Sequence, residues 1–429
     1  MMKIQKDVLC NGLRLITANV AGVESVTVQV FVKGGSRDEP ARVSGLAHFL
    51  EHMVFKGTPG YPSAHALSSV ADSIGAEINA STDKERTSFY LKLTRQHLEI
   101  AFKLLSEMVF SPLLEPQEIA REKGVIVAEI SMYEDLPPQK AISAFEELMF
   151  AGSDLQHDVA GKKESVLRVE RGDFVDFREK FYTPDRIVVS VAGNFDSGEV
   201  KELTEKYFGA VADPADADAV AGKPAVGQPA YVSHIRLVNK KTEQAHLIVG
   251  FAGNPLGHKD RYIESVLASL LGGGMSSRLF TEVREKRGLA YYIKSVLQHY
   301  TDTCYIGARA GVDPDKVYEA LEVIVGQYDR ILNTKYLVTK EELQKAKEYT
   351  KGRFILGLED TEAVSDLIGE DELFEGRSRT LEEIVSGIDK VTREDILRVS
   401  KGLFEGEGLK LAVVGPYTET QKFEKLLRL

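Results

Sequence analysis

The 429-residue sequence contains two cysteines, Cys10 and Cys304, and no tryptophan. Two cysteines cannot form a disulfide framework, so a small stapled scaffold is excluded and both are expected as free thiols of a reducing compartment. No apolar run is long enough to cross a bilayer, and the opening stretch MMKIQKDVLCNGLRLI lacks the apolar core and small-residue cleavage site of a secretory leader. The expectation is a cytoplasmic protein with no membrane partner. Positive charge is in deficit: 54 Lys and Arg against 65 Asp and Glu give a formal charge of -11. That balance argues against a nucleic-acid or anionic-membrane surface and favours neutral or cationic partners.

With 43% hydrophobic residues the chain can bury a large core, and its length predicts two or three domains. Between Gly209 and Ala230 the stretch GAVADPADADAVAGKPAVGQPA has no apolar periodicity and reads as a linker. The same order of elements recurs on either side. Val169, Asp173 and Gly193 correspond to Val391, Asp395 and Gly415, each pair 222 positions apart, which argues for internal duplication. More loosely, SGLAHFLEHM lies opposite SVLASLLGGG, so His48, Glu51 and His52 face Ser269, Gly272 and Gly273. The expected organisation is a first domain over 1–212, a linker over 213–229 and a degenerate homologous domain over 230–429. Alternation in VTVQVFV predicts a half-buried strand, and HLEIAFKLLSEMVF spaces its apolar residues as a helix does. The fold class is therefore α+β, each domain a mainly antiparallel sheet with helices packed on it.

The chemistry concentrates in HFLEH. On a helix, His48 and His52 project from one face at i and i+4 and can grip one ion, with Glu51 beside them. This is the H-x-x-E-H arrangement, in which the glutamate is placed to act as general base on water at a zinc ion. A hydrolytic zinc needs a third protein ligand. Downstream, LLEPQEIAREKGVIVAEISMYED starts a helix at Glu115-Pro116 and carries Glu118, Glu122 and Glu129. By spacing alone any of these could be the ligand, or all could be solvated surface acids. The other histidines, His65, His97, His157, His234, His246, His258 and His299, show no ligand spacing and read as structural or exposed. Gly272 to Gly274 is no phosphate loop, because no Lys-Ser or Lys-Thr follows at the required spacing.

HFLEHMVFKGT, followed 77 residues after His52 by Glu129 in REKGVIVAEI, resembles the pitrilysin and insulin-degrading-enzyme family of zinc metallopeptidases, the inverzincins. With two domains, the chain is similar to the short members such as the mitochondrial processing peptidase beta subunit. The resemblance implies His48, His52 and Glu129 as ligands of one zinc per chain, Glu51 as base and Glu122 as support from behind the ligands. EINASTDKERTSFYLKL resembles the family's active-site strand, which implies Asn79 and Ala80 along a bound peptide that adds as a strand. GGGMSSRLFTEVREKRGLAYYIKS resembles the segment bearing an Arg/Tyr pair, implying that Tyr291 supports the oxyanion and Arg284 the substrate backbone. The implied function is hydrolysis of unfolded or presequence-like peptides inside a dimeric chamber, as a homodimer or a heterodimer. Arg284 and Tyr291 act in either the same chain or the partner. The family also includes structural subunits without catalysis, and that is the alternative.

Overall fold

The computed structural model describes residues 3–211, 233–333, 337–404 and 408–428, so the expected linker 213–229 lies outside the described residues. The first sheet contains β1 (Lys3–Val8), β2 (Arg14–Asn19), β3 (Ser25–Val32), β4 (Glu77–Thr82), β5 (Thr87–Thr94) and β6 (Ile187–Gly193). Its order is β1-β2-β6-β3-β5-β4, with only β2 and β6 parallel. The second contains β7 (Ile235–Asn239), β8 (Ala245–Gly253), β9 (Ala290–His299), β10 (Cys304–Val312) and β11 (Lys410–Gly415), in the order β7-β11-β8-β10-β9. Here β7 and β11 are the parallel pair.

Without β1, the two orders are the same strand for strand. β6 and β11 end at Gly193 and Gly415, the two glycines the sequence repeat aligns. The helices Arg171–Phe181 and Arg393–Phe404 precede them in the same way. The expected α+β class with mainly antiparallel sheets is what the chain adopts.

The compact units are not two contiguous halves. Ser131–Gln156 belongs with the second unit and Gly357–Leu381 with the first. Each exchanged segment supplies one helix that covers a sheet face. Pro137–Met149 lies on β7, β8 and β11, where Phe145 packs with Ile248, Tyr305 and Val414. Thr361–Glu375 lies on β2, β3 and β6. The expected boundaries 1–212 and 230–429 therefore do not coincide with the units, because local periodicity cannot say which sheet a helix covers.

This exchange also corrects the reading of β3, which is buried on both faces and not half-buried. Val26, Val28, Val30 and Val32 face a core with Leu46, Phe49 and Leu50. The alternate residues meet the helix Thr361–Glu375: Thr27 Oγ1 lies 2.9 Å from Thr361 Oγ1, and Gln29 donates to Asp366 at 2.8 Å. Polar residues alternate here because each has a hydrogen-bonding partner on the helix, not because they face water.

The same helix sits close to β3 because Gly369 has no side chain; a Cβ there would come within 2.2 Å of the fully buried Phe31 ring. Gly369→Val should destabilise the protein by about 1–3 kcal/mol through overpacking. Thermal or urea unfolding checks this, and an unchanged midpoint would contradict the close docking.

Candidate metal centre

The helix Leu46–Val54 begins at Gly45, whose φ of 97° is left-handed and favours glycine. Its first N–H groups are satisfied from upstream by Glu39, which accepts from Gly45 N–H and Ala47 N–H at 2.6 Å each. A buried carboxylate at this end satisfies orphan donors and complements the helix dipole, so it fixes the element that bears the site. Glu39 was not foreseen from sequence, since it matches no local capping pattern.

His48 and His52 occupy one face of this helix, with ring centroids 4.7 Å apart. Glu129, on the helix Pro116–Asp135, reaches both: Oε1 lies 3.7 Å from His48 Nε2, and Oε2 lies 3.4 Å from His52 Nε2. Their ligand atoms all fall within 4.8 Å of one another. About two helical turns earlier in the same helix, Glu122 is buried, with Oε1 2.9 Å from His52 Nδ1 and Oε2 2.6 Å from Lys56 Nζ. Glu118 instead pairs with Arg121. Of the three glutamates left open by spacing, the structure brings Glu129 to the histidines and Glu122 behind one of them.

The electrostatics follow from these contacts. Burial works against ionisation of Glu122, but hydrogen bonds from His52 and Lys56 outweigh it and hold the carboxyl below its usual 4.5. An ionised carboxylate only accepts, so His52 Nδ1 carries a proton toward Glu122, and Nε2 is the nitrogen that faces Glu129. Burial, then the neighbouring His52, lowers the pKa of His48 and keeps it neutral, the form that ligates metals. Burial also pushes the Glu51 carboxyl up, with Thr82 at the end of β4 as the main opposing influence. Glu51 Oε2 is buried without a hydrogen-bond partner.

Two imidazoles and a carboxylate are a zinc hydrolase donor set. Separations of 3.4 and 3.7 Å exceed an ordinary hydrogen bond. They approach the roughly 3.4 Å between neighbouring donors that a tetrahedral zinc with bonds of about 2.0–2.1 Å requires. The residues present therefore fit zinc.

The remaining predicted residues fall on two edge strands and on the turn that precedes one of them. Asn79 is exposed and Ala80 half-buried on β4, the edge of the first sheet, with Asn79 Oδ1 accepting from Ala80 N–H at 2.9 Å. Arg284 lies in the π-helical turn Phe280–Glu285, its guanidinium 5.0 Å from the Phe280 ring centroid and 5.8 Å from that of Tyr291. Tyr291, near the start of β9, is 72% exposed. The expected pair is thus adjacent, and it belongs to the second unit.

Residues 14–163 match the family model described as Insulinase (Peptidase family M16), and 168–349 match that of the Peptidase M16 inactive domain. A Bacillus subtilis protein named uncharacterized zinc protease YmxG is 34% identical over 95% of this chain and 97% of its own length. The chain belongs to peptidase family M16. An uncharacterized zinc protease of Streptomyces coelicolor is likewise 34% identical, over 97% of this chain and 91% of its own. Among solved structures, a protease from Helicobacter pylori superposes with a TM-score of 0.87 at 24% identity, covering 97% of this chain and all of that one, which bears on the fold alone. All four residues of the H-x-x-E-H site with its distant glutamate lie in the Insulinase match, and Arg284 and Tyr291 lie in the inactive-domain match. The expected relationship to pitrilysin-type peptidases, and to zinc proteases as a class, holds.

Glu122→Gln should weaken zinc binding about 10- to 100-fold, because His52 loses an anionic acceptor; chelator competition measures this, and unchanged affinity would contradict the role. In metal-free protein, a carboxyl held below its usual 4.5 adds stability above that pH and loses it as pH falls through the depressed value. Urea unfolding in acid should therefore show a flatter pH dependence in the Gln variant.

Proposed function

We propose that this M16 chain is a zinc-dependent endopeptidase that hydrolyses unfolded or short peptides, presequence-like ones included, within a homodimeric chamber in the cytoplasm. The observation that carries the reading is the convergence of His48, His52 and Glu129 beside a buried, unpartnered Glu51 oxygen. One zinc held by the three ligands would supply a Lewis acid that polarises a peptide carbonyl and acidifies water. Cytoplasmic placement rests on cysteine usage; no described helix is long and apolar enough to cross a membrane.

The chain's own residues perform the remaining work. An extended peptide adds to the exposed edge of β4 at Asn79 and Ala80, held through its main chain with little demand on sequence. Glu51, its carboxyl already shifted toward protonation by burial, takes the proton from the attacking water and returns it to the leaving amine nitrogen. The Tyr291 hydroxyl donates to the developing oxyanion, and Arg284, resting on Tyr291 and Phe280, engages the substrate backbone. We infer that this pair comes from the partner protomer, so that each site is shared.

A non-catalytic structural subunit is the rival, and the match to an inactive domain supports it over 168–349. That match excludes His48, Glu51, His52 and Glu129, which lie within 14–163.

Glu51→Gln should retain zinc yet lose roughly 100- to 10,000-fold in turnover of an unstructured basic peptide. Full activity in that variant would remove Glu51 as base, and no chelator-sensitive cleavage by the unmodified protein would favour the structural subunit. For the shared site, Glu51→Gln and Tyr291→Phe chains can be unfolded together and refolded as mixed dimers. Statistical pairing should restore about a quarter of wild-type activity, because half the dimers carry one intact site. No recovery would place Tyr291 in the same chain as its zinc.

A further inference from the structure

A second group of metal-binding side chains lies in the other unit. Glu264 sits in the helix Arg261–Gly272, His299 ends β9 and Cys304 begins β10, and their ligand atoms all lie within 4.8 Å of one another. His299 was read from sequence as a histidine without ligand spacing. In the folded hairpin, β9 and β10 pair His299 directly with Cys304.

The group is built and buried. Glu264 is fully buried. Its Oε1 accepts from Asn254 N–H at 3.2 Å and from the Asn254 side-chain amide at 2.7 Å. Its Oε2 is buried without a hydrogen-bond partner and lies 3.8 Å from His299 Nε2. His299 Nδ1 is 3.1 Å from the carbonyl of the same Asn254; a carbonyl only accepts, so Nδ1 carries a proton, and Nε2 is the nitrogen that faces Glu264. Asn254 thus orients two of the three groups, as Glu122 orients His52. Cys304 is fully buried. Its sulfur fits because β8 has Gly253 opposite, where a Cβ would come within 2.9 Å of Sγ. The thiol donates to the Tyr305 carbonyl at 3.4 Å.

We propose that Glu264, His299 and Cys304 form a second metal site, separate from the catalytic one, that takes zinc or a similar borderline divalent ion. One sulfur, one imidazole nitrogen and one carboxylate oxygen select such ions over magnesium or calcium, which take oxygen ligands. On binding, the thiol proton leaves to solvent and the thiolate replaces its bond to Tyr305 with one to the metal. The ion ties the β9-β10 hairpin to the helix Arg261–Gly272, and so holds β9 at the end opposite Tyr291. This inference does not depend on peptidase activity.

Cobalt(II) loading of the full chain tests it, because a thiolate ligand gives a near-ultraviolet charge-transfer band that the His48, His52 and Glu129 set cannot. Cys10→Ser removes the exposed thiol from the background. That variant should bind two cobalt ions per chain and show the band. Adding Cys304→Ser should abolish the band and leave one ion, and Glu264→Gln should weaken the second ion by at least about tenfold, with the band still formed at saturation. A Cys10→Ser chain that binds one cobalt with no thiolate band, or a band that survives Cys304→Ser, would overturn the proposal.

Discussion

The hydrogen bond between His52 Nδ1 and Glu122 determines what the first unit can hold. With Glu122 ionised between His52 and Lys56, the imidazole proton is committed to the outer nitrogen. Its inner nitrogen faces Glu129, beside the neutral His48. The elements that carry these three groups are fixed by contacts of their own. Glu39 anchors one helix by its backbone, and a buried glutamate on the second meets His52 and Lys56 of the first segment. These surroundings position the three side chains toward one point.

The same strategy recurs at Asn254, which positions a carboxylate and an imidazole from opposite sides of one residue. Duplication gave the two units one strand order but not one chemistry. Where the first half has Glu51, the aligned position is Gly272, and a Cβ there would come within 2.4 Å of the Ser295 backbone nitrogen. The second helix has closed onto β9 where the first keeps a carboxylate beside β4.

What could be read in advance depended on how local its cause was. His48, Glu51 and His52 sit within five residues, so helical geometry alone grouped them. Glu129 and Glu122 were singled out from Glu118 only by resemblance, since all three share one amphipathic helix and no spacing separates them. Repeated strands were visible because apolar alternation and the terminal Gly193 and Gly415 are local features. The exchange of the helices Pro137–Met149 and Thr361–Glu375 was not, because a helix carries its apolar face without naming the sheet that face will cover. Thr27 and Gln29 consequently suggested a wet face. Glu39, Lys56 and the Glu264, His299 and Cys304 group were invisible for the same reason: each acts through partners that only the folded chain brings near.

The proposed activity requires zinc at His48, His52 and Glu129. Crystals of the zinc-loaded chain, with anomalous diffraction recorded on either side of the zinc absorption edge, test it most directly. The predicted result is an edge-specific peak within bonding distance of His48 Nε2, His52 Nε2 and a Glu129 oxygen, about 2.0–2.2 Å from each. A zinc-replete crystal with no peak at these three side chains would contradict it.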